Sequence, residues 1–303
     1  MYKKIKQDKK MIDINSLDKL IESKENEVPN IRPDTKKKII WASKNNQKTK
    51  TSLVFIHGFS ATRFELSPII EMLGKDLQAN VFFTRLKGHG QDGKALGEAT
   101  FDDWIIDTQE AIEIGKVIGD NLVLIGCSTG CSLIHTILEK SIDIKAVIYV
   151  SPNFGPKSFK GQLLRVPGAK LFMPLVFGNE HFFIPKNVEH ERCWTTRYPI
   201  KALFAIKDTV VAAYKINHNK IKVPVLFWFS DNDQVVSAKA TRKIISKMGD
   251  NVTLHNPSLT KQDDPSCHGI IGDILSPSQT TIAVEKIINW LDNVFLKDNL
   301  VNK

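Results

Sequence analysis

From residue 51 onward the chain alternates short apolar runs with longer segments of helical period. Several runs are apolar at consecutive positions, which is typical of central strands covered by helices on both faces. The alternation predicts an α/β fold, with a mostly parallel central sheet and helices on both faces. The predicted strands are Leu53–His57, Asn80–Leu86, Asn121–Cys127, Ile144–Val150, Pro224–Ser230 and Val252–His255, with Lys36–Trp41 as an additional edge strand.

Segments of helical period lie between these strands, at about 65–77, 101–118, 129–140, 238–248 and 278–296. Thr100 and Asp103 predict a capped start for the second of these helices. Ser276 is predicted to cap the last helix, because Pro277 suits the first helical position and Gln279 completes a capping box.

The alternation stops between residues 152 and 222, where aromatic and aliphatic residues are interrupted by Gly and Pro. We interpret 152–222 as a lid inserted into a core formed by residues 51–151 and 223–303. Most of the lid's apolar side chains would form its own small core, and some would line an apolar pocket. Residues 1–50 would be a basic leader, with room for a helix and an edge strand.

The formal charge of +9 is concentrated in that leader, which holds 13 Lys and one Arg against seven acids. These lysines are interleaved with acids and lack neighbouring aromatics, so they indicate a solvated, partly frayed segment and no nucleic-acid partner. No apolar run reaches the roughly 18 residues that span a bilayer, so we expect no stable membrane insertion. No apolar segment follows the basic start, which argues against a signal peptide.

Four cysteines, Cys127, Cys131, Cys193 and Cys267, show neither a disulfide framework nor paired zinc spacing. Reduced thiols favour a cytoplasmic protein. The spacing of Cys127 and Cys131 allows a metal site or a reactive thiol, but small apolar residues packed beside a turn are the preferred interpretation. No metal is expected.

The strongest chemical signal is the sequence G-C-S-T-G at Gly126–Gly130, which directly follows an apolar strand and precedes a helical pattern. A chain that turns so sharply raises the central serine above the sheet, and the flanking glycines leave room for the turn. The motif predicts Ser128 as a nucleophile. An ordinary exposed serine in a glycine-rich turn is the alternative.

A serine hydroxyl needs a base, and the base needs an orienting acid. For this strand–turn–helix arrangement the acid and then the histidine follow the serine along the chain. Asp233 lies in the polar loop after one predicted strand, and His268 lies in the loop after the next. Asp231 competes with Asp233 for the orienting role, and His255 is the less favoured base because it lies in a strand.

The developing oxyanion needs backbone donors, for which we predict the N–H groups of Phe59 and Thr129. His57 precedes the serine in the chain and is predicted to hold the Phe59 loop through a side-chain hydrogen bond. The segment Gly88–Gly93 fits the dinucleotide pattern G-x-G-x-x-G. Residues Lys94–Glu98 are predicted to be loop, whereas a nucleotide fingerprint opens a helix at once, so no cofactor is expected.

Together these segments resemble the α/β-hydrolase family, and within it the carboxylesterase and monoacylglycerol-lipase-like branch. The resemblance covers about residues 51–296. It rests on His57–Phe59, Arg85–Gly90, the Gly126–Gly130 motif, the Asp233 and His268 loops, and the lid. It implies hydrolysis of esters of small acyl groups or of monoacylglycerols, without a cofactor. The aromatic residues of the lid favour a small apolar-acyl ester as the substrate. Cys127 departs from the larger or more polar residue of many members, and the first 50 residues match nothing in the pattern.

Several alternatives stay open at this point. The same serine could cleave thioesters or amides, or transfer an acyl group to an acceptor other than water. The fold also hosts ligand receptors that keep a slow triad, which tight binding with negligible turnover would reveal. The sequence does not determine the oligomeric state or the acyl-chain length.

Overall fold

The computed structural model describes residues 13–43, 46–140 and 143–301. The basic stretch Met1–Lys10 lies outside these described residues. The strands are β1 (Lys38–Ile40), β2 (Thr49–Ile56), β3 (Asn80–Phe83), β4 (Gly119–Cys127), β5 (Ala146–Val150), β6 (Glu180–Phe182), β7 (Arg197–Pro199), β8 (Val225–Trp228) and β9 (Val252–His255).

Seven of these strands form one sheet in the order β1-β3-β2-β4-β5-β8-β9. All neighbouring pairs are parallel except β1 with β3. The predicted edge strand and the mostly parallel sheet are therefore confirmed. Because the other six strands of this sheet run the same way, the loops that follow them gather at one edge of the sheet.

The helices are α1 (Leu17–Asn26), α2 (Ile69–Asp76), α3 (Gly93–Glu98), α4 (Phe101–Ile118), α5 (Thr129–Leu138), α6 (Phe159–Gln162), α7 (Ala169–Phe177), α8 (Val188–Cys193), α9 (Leu203–Lys215), α10 (Ala238–Ile245) and α11 (Thr280–Val301). The five predicted helices all form, and Thr100 and Asp103 make the predicted reciprocal cap at α4.

The sheet is buried on both faces, as its continuous apolar runs predict. Along β2, Val54 and Ile56 belong to one apolar cluster, while Leu53 and Phe55 belong to the cluster on the opposite face. This alternation follows from the two-residue period of a strand. The result is a helix–sheet–helix arrangement around a mostly parallel sheet.

The segment between β5 and β8 contains α6 to α9 and a small antiparallel pair formed by β6 and β7. We call residues 152–222 the insertion, since the strands on either side of it are neighbours in the main sheet. Parts of it form a small apolar cluster that includes Met173, Ile200 and Phe204. Other parts, as shown below, contact the loops that follow the central strands.

Residues 13–43 pack against the core, whereas a solvated leader was expected. In α1, Leu17 and Ile21 are buried, and Glu25 is only 2% exposed. The Glu25 carboxylate accepts two hydrogen bonds from the Arg85 guanidinium, at 2.7 and 2.8 Å. The helix therefore docks on the core through apolar contacts and a buried ion pair, which charge counting along the sequence could not show.

Two local expectations were wrong. Residues Gly93–Glu98 form α3, which Asp92 caps through the N–H of Ala95, whereas a loop was predicted. Ser276 makes no capping hydrogen bond at the last helix. Its hydroxyl instead accepts from the N–H of Asp264 and donates to the carbonyl of Gly269, so the loop before α11 uses this side chain. Within the described ranges, no helix has both the length and the apolar character to cross a bilayer.

Candidate active site

Ser128 is the single residue that links β4 to α5. Its backbone has φ +49° and ψ −112°, a conformation that is strained for a residue with a side chain. The carbonyl of Ser128 accepts from the N–H groups of Cys131 and Asn153, each at 3.1 Å, which holds the turn. A Cβ atom at Gly130 would lie 2.1 Å from the carbonyl oxygen of Ile56, so only glycine fits there.

His268 lies between the serine and a buried carboxylate. Its Nε2 is 3.1 Å from Ser128 Oγ, and its Nδ1 is 2.8 Å from Asp233 Oδ2. The three side chains arrive from the loops after β4, β8 and β9, which meet at one edge of the sheet. A base can accept a proton from serine only at hydrogen-bonding distance. The separation of Nε2 and Oγ meets this condition, so the geometry permits proton transfer from Ser128 to His268.

The two candidate aspartates have different surroundings. Asp233 is 1% exposed, and its Oδ1 accepts from the N–H groups of Val235 and Val236 at 2.7 and 2.9 Å. Asp231 lies on the surface and forms an ion pair with Arg242. The structure therefore brings Asp233, and not Asp231, to the imidazole. The other candidate base, His255, packs against the Trp228 ring at the end of β9.

His57 fixes the peptide between Gly58 and Phe59. Its Nε2 accepts from the N–H of Leu86 at 3.2 Å, so Nδ1 carries the proton and donates to the carbonyl of Gly58 at 2.9 Å. Complete burial lowers the pKa of His57 to about 4, which keeps the ring neutral. With the Gly58 carbonyl held on the His57 side, the N–H of Phe59 points the opposite way in the same planar peptide.

Thr129 is the first residue of α5, and the first N–H groups of a helix have no partner within the helix. Phe59 and Thr129 both line the cavity that holds Ser128 and His268. The helix dipole adds partial positive charge at this end of α5. These two segments are thus placed where a developing negative charge beside Ser128 could be bound.

A cavity of about 540 Å³ opens over Ser128, within the range of small-molecule sites. Much of its lining is apolar and comes from the insertion, notably from Leu164, Phe183, Trp194, Ile206 and Val210. The loops that carry Phe59, Ser128 and His268 supply the remaining side. The prediction that some apolar side chains of 152–222 line a pocket is therefore consistent with their positions.

Glu65 is a cavity-lining carboxyl group that the sequence did not single out. Its Oε2 accepts from the N–H of Gly58 at 2.6 Å, and its charge interacts with Cys127 and His268. Burial raises the pKa of Glu65 to about 7, and the Gly58 N–H opposes that rise. The Glu65 carboxyl group therefore changes its protonation state near neutral pH. It does so in direct contact with Gly58, the residue whose carbonyl His57 binds.

Glu65→Gln is expected to change how stability depends on pH. The pKa of Glu65 is about 7 in the folded chain, whereas the ordinary value for a glutamate is 4.5. The unfolded chain therefore loses this proton first, and the free energy of unfolding of the wild type falls between those two pH values. The variant has no titrating group at this position. As pH increases, its free energy of unfolding relative to wild type should therefore rise by up to about 3 kcal/mol and level off near pH 7. Urea unfolding of both proteins from pH 4 to 8 measures the difference, and a constant difference contradicts it.

Cys127 and Cys131 are buried beside the turn at Ser128, and the glycine-rich segment packs against the insertion. Cys131 is buried, and its thiol contacts the carbonyls of Gly126 and Val150. Burial raises the pKa of the Cys127 and Cys131 thiols, which keeps both protonated. A Cβ atom at Gly93 would lie 2.1 Å from the carbonyl oxygen of Arg197. The insertion thus occupies the space beside the start of α3, where a nucleotide fingerprint would need room for a pyrophosphate.

Comparisons with known proteins agree with this fold. The model of the family described as serine aminopeptidase, S33, matches residues 47–256, more than half of the chain. A thermostable monoacylglycerol lipase from Bacillus sp. (strain H-257) is 23% identical over 184 residues, which cover 61% of this chain and 71% of the lipase.

Two solved structures show the same architecture. One comes from work on the metagenome-derived lipolytic enzymes LipS and LipT. It has a TM-score of 0.71 at 16% identity and covers 87% of this chain and 100% of its own. The other is a monoacylglycerol lipase from Paleococcus ferrophilus, with a TM-score of 0.61 at 16% identity, covering 85% of this chain and 98% of its own. At such identities the likeness shows the α/β-hydrolase fold.

Proposed function

Because the chain belongs to the serine aminopeptidase (S33) family of α/β-hydrolases, we propose that it hydrolyses carboxylic esters of apolar acyl groups, with Ser128 as the nucleophile. The observation that carries this proposal is the pair of contacts of His268, at 3.1 Å to Ser128 Oγ and 2.8 Å to Asp233 Oδ2. Two relatives whose names describe lipases support esters as the substrate class.

The proposed reaction has two halves. Ser128 Oγ attacks the ester carbonyl carbon while its proton passes to Nε2 of His268, and Asp233 accepts the hydrogen bond of Nδ1–H. Collapse of the tetrahedral intermediate breaks the bond to the alcohol oxygen, which takes the proton from His268. A water molecule then attacks the acyl-enzyme, again giving its proton to His268, and the acid leaves as Ser128 regains its proton.

The negative charge of each tetrahedral intermediate would be held by the N–H groups of Phe59 and Thr129. The role proposed for His57 is to keep the first of these donors directed at the site, by binding the carbonyl on the other side of the same peptide. Donors that are fixed in advance need no reorganisation during the reaction, which is why losing one typically costs on the order of 10² to 10³ in turnover.

The apolar lining contributed by the insertion supports an apolar acyl group, and we propose that residues 152–222 act as a lid over the site. Each buried methylene contributes about 0.8 kcal/mol. The value of kcat/KM should therefore rise roughly fourfold for each added CH₂ until the cavity of about 540 Å³ is filled.

A fluorophosphonate probe tests the proposal directly. We expect one covalent adduct, mapped by mass spectrometry to Ser128, and protection from labelling by p-nitrophenyl esters of increasing acyl length. Ser246→Ala is the matched control, because Ser246 lies exposed at the end of α10. Labelling of another residue, or of none, would contradict the proposal. Tight ligand binding with negligible turnover would instead indicate a receptor, and faster cleavage of aminoacyl anilides than of esters would indicate a peptidase.

A further inference from the structure

The histidine loop, residues 256–276, contains no helix and no strand between β9 and the turn that precedes α11. Loops of this length without secondary structure are uncommon in compact domains, and usually depend on their own side chains for order. A side chain that must stay within hydrogen-bonding distance of two partners needs a well-supported backbone. The backbone of His268 therefore needs support from side-chain contacts.

The carbonyl of His268 accepts from the Ser151 hydroxyl at 2.5 Å, and the N–H side of this backbone is held by Asp264. Its carboxylate accepts from the N–H groups of Ser266, His268 and Gly269, at 3.0, 3.2 and 2.7 Å. It also accepts from the Ser266 hydroxyl at 2.6 Å. The residue is only 3% exposed, so the carboxylate is removed from water. One buried side chain thus fixes the backbone of His268 and of its neighbours on either side.

Removing a carboxylate from water costs free energy, which hydrogen bonds offset in part and a neighbouring positive charge offsets further. Lys186, which lies between β6 and α8 in the insertion, forms an ion pair with Asp264 through its Nζ. Partial burial lowers the pKa of the Lys186 ammonium, and the charge of the Cys267 thiol opposes that fall. The contact with the Asp264 carboxylate favours the charged ammonium as well. The counter-charge therefore comes from the insertion and not from the histidine loop.

The same segment of the insertion is itself anchored. The backbone N–H of Lys186 donates to Nδ1 of His190 at 3.2 Å. The Asn187 amide donates to the carbonyl of Ile274 at 2.7 Å, near the far end of the histidine loop. Two consecutive residues of the insertion thus contact the loop on both sides of His268.

We propose that Lys186 is a positioning residue of the reaction: it compensates the charge of Asp264, which holds the backbone that carries His268. This inference rests on the proposed function, because it concerns the placement of the proposed base. Without the ammonium, the unpaired buried carboxylate takes up a proton at a higher pH. The loop then loses its ionic acceptor, and His268 loses its fixed distance to Ser128.

Lys186→Met in the full chain is expected to lower kcat for a p-nitrophenyl ester by roughly 10- to 100-fold, as small misplacements of catalytic groups do. KM should change little, and the acidic fall of the pH–kcat profile should move to higher pH. Lys186→Arg keeps the charge and should restore most of the activity. Lys220→Met is the matched control, because the Lys220 side chain is 64% exposed and pairs with Glu139 away from the site.

A double-mutant cycle with Asp264→Asn makes the test specific. A neutral amide needs no counter-charge, so Lys186→Met should have little further effect in the Asp264→Asn background. Equal losses in both backgrounds overturn the inference, as does a rise in KM with kcat and the pH profile unchanged, which would make Lys186 a substrate contact. If wild type neither turns over esters nor reacts with a fluorophosphonate at Ser128, the proposed function itself fails, and the two failures are thereby distinguished.

Discussion

Ser128→Ala is expected to lower turnover of a p-nitrophenyl ester by roughly 10⁶-fold, by analogy with the loss of the nucleophile in other serine hydrolases. The variant removes only Oγ, the atom that lies 3.1 Å from Nε2 of His268. Alanine carries the same Cβ as serine, so the strain of the left-handed backbone at this position should be unchanged. Steady-state kinetics with the ester, together with thermal unfolding, measure the two effects.

The control for this variant is again Ser246→Ala, which should match wild type in both measurements. A Ser128→Ala protein that kept a tenth or more of the turnover while unfolding at the wild-type temperature would exclude Ser128 as the nucleophile. A protein that lost both activity and its unfolding transition would call for Ser128→Cys, which retains a nucleophilic atom.

Asp233→Asn is expected to lower turnover by roughly 10⁴-fold with little change in fold. Because Val235 and Val236 donate their N–H groups to Oδ1, the asparagine carbonyl oxygen must take that position. The amide NH₂ then faces Nδ1 of His268, which must become an acceptor. The proton moves to Nε2, where it blocks acceptance of the serine proton.

Asp231→Asn separates this effect from a general loss of charge in the same loop. Asp231 is exposed and pairs with Arg242, a surface contact worth under about 1 kcal/mol. We expect wild-type kinetics for this variant. If Asp231→Asn were the slower of the two proteins in the pre-steady-state burst and at steady state, the acid would have to be reassigned.

The parts of the fold that could be predicted from the sequence depend on local pattern. The strands of the sheet follow from continuous apolar runs, and the sharp turn at Ser128 follows from glycines that flank it at the end of such a run. The glycine motif around Ser128 and the polar loops that follow later strands, in the order acid and then histidine, predict three residues that the structure brings together. Asp233 could be preferred to Asp231 only weakly, because both follow the same strand.

The parts that could not be predicted depend on contacts between distant segments. Nothing near Glu25 in the chain indicates that it pairs with Arg85, 60 residues away. Glu65 and Asp264 look like ordinary surface acids until their burial is known. Ser276 matches a helix-capping pattern, yet its hydroxyl binds Asp264 and Gly269 of the histidine loop, and the local sequence does not show that contact.

The docking of α1 has a practical consequence for shortened forms of this protein. A chain cut to begin at residue 47, where the family match starts, would lack Glu25. The guanidinium of Arg85, which is 4% exposed, would then face an open apolar surface without its anionic partner. Expression trials of a chain that begins at residue 47, and so lacks both α1 and β1, should therefore yield a poorly soluble product. A chain that begins at or before residue 13 keeps the contact between Glu25 and Arg85.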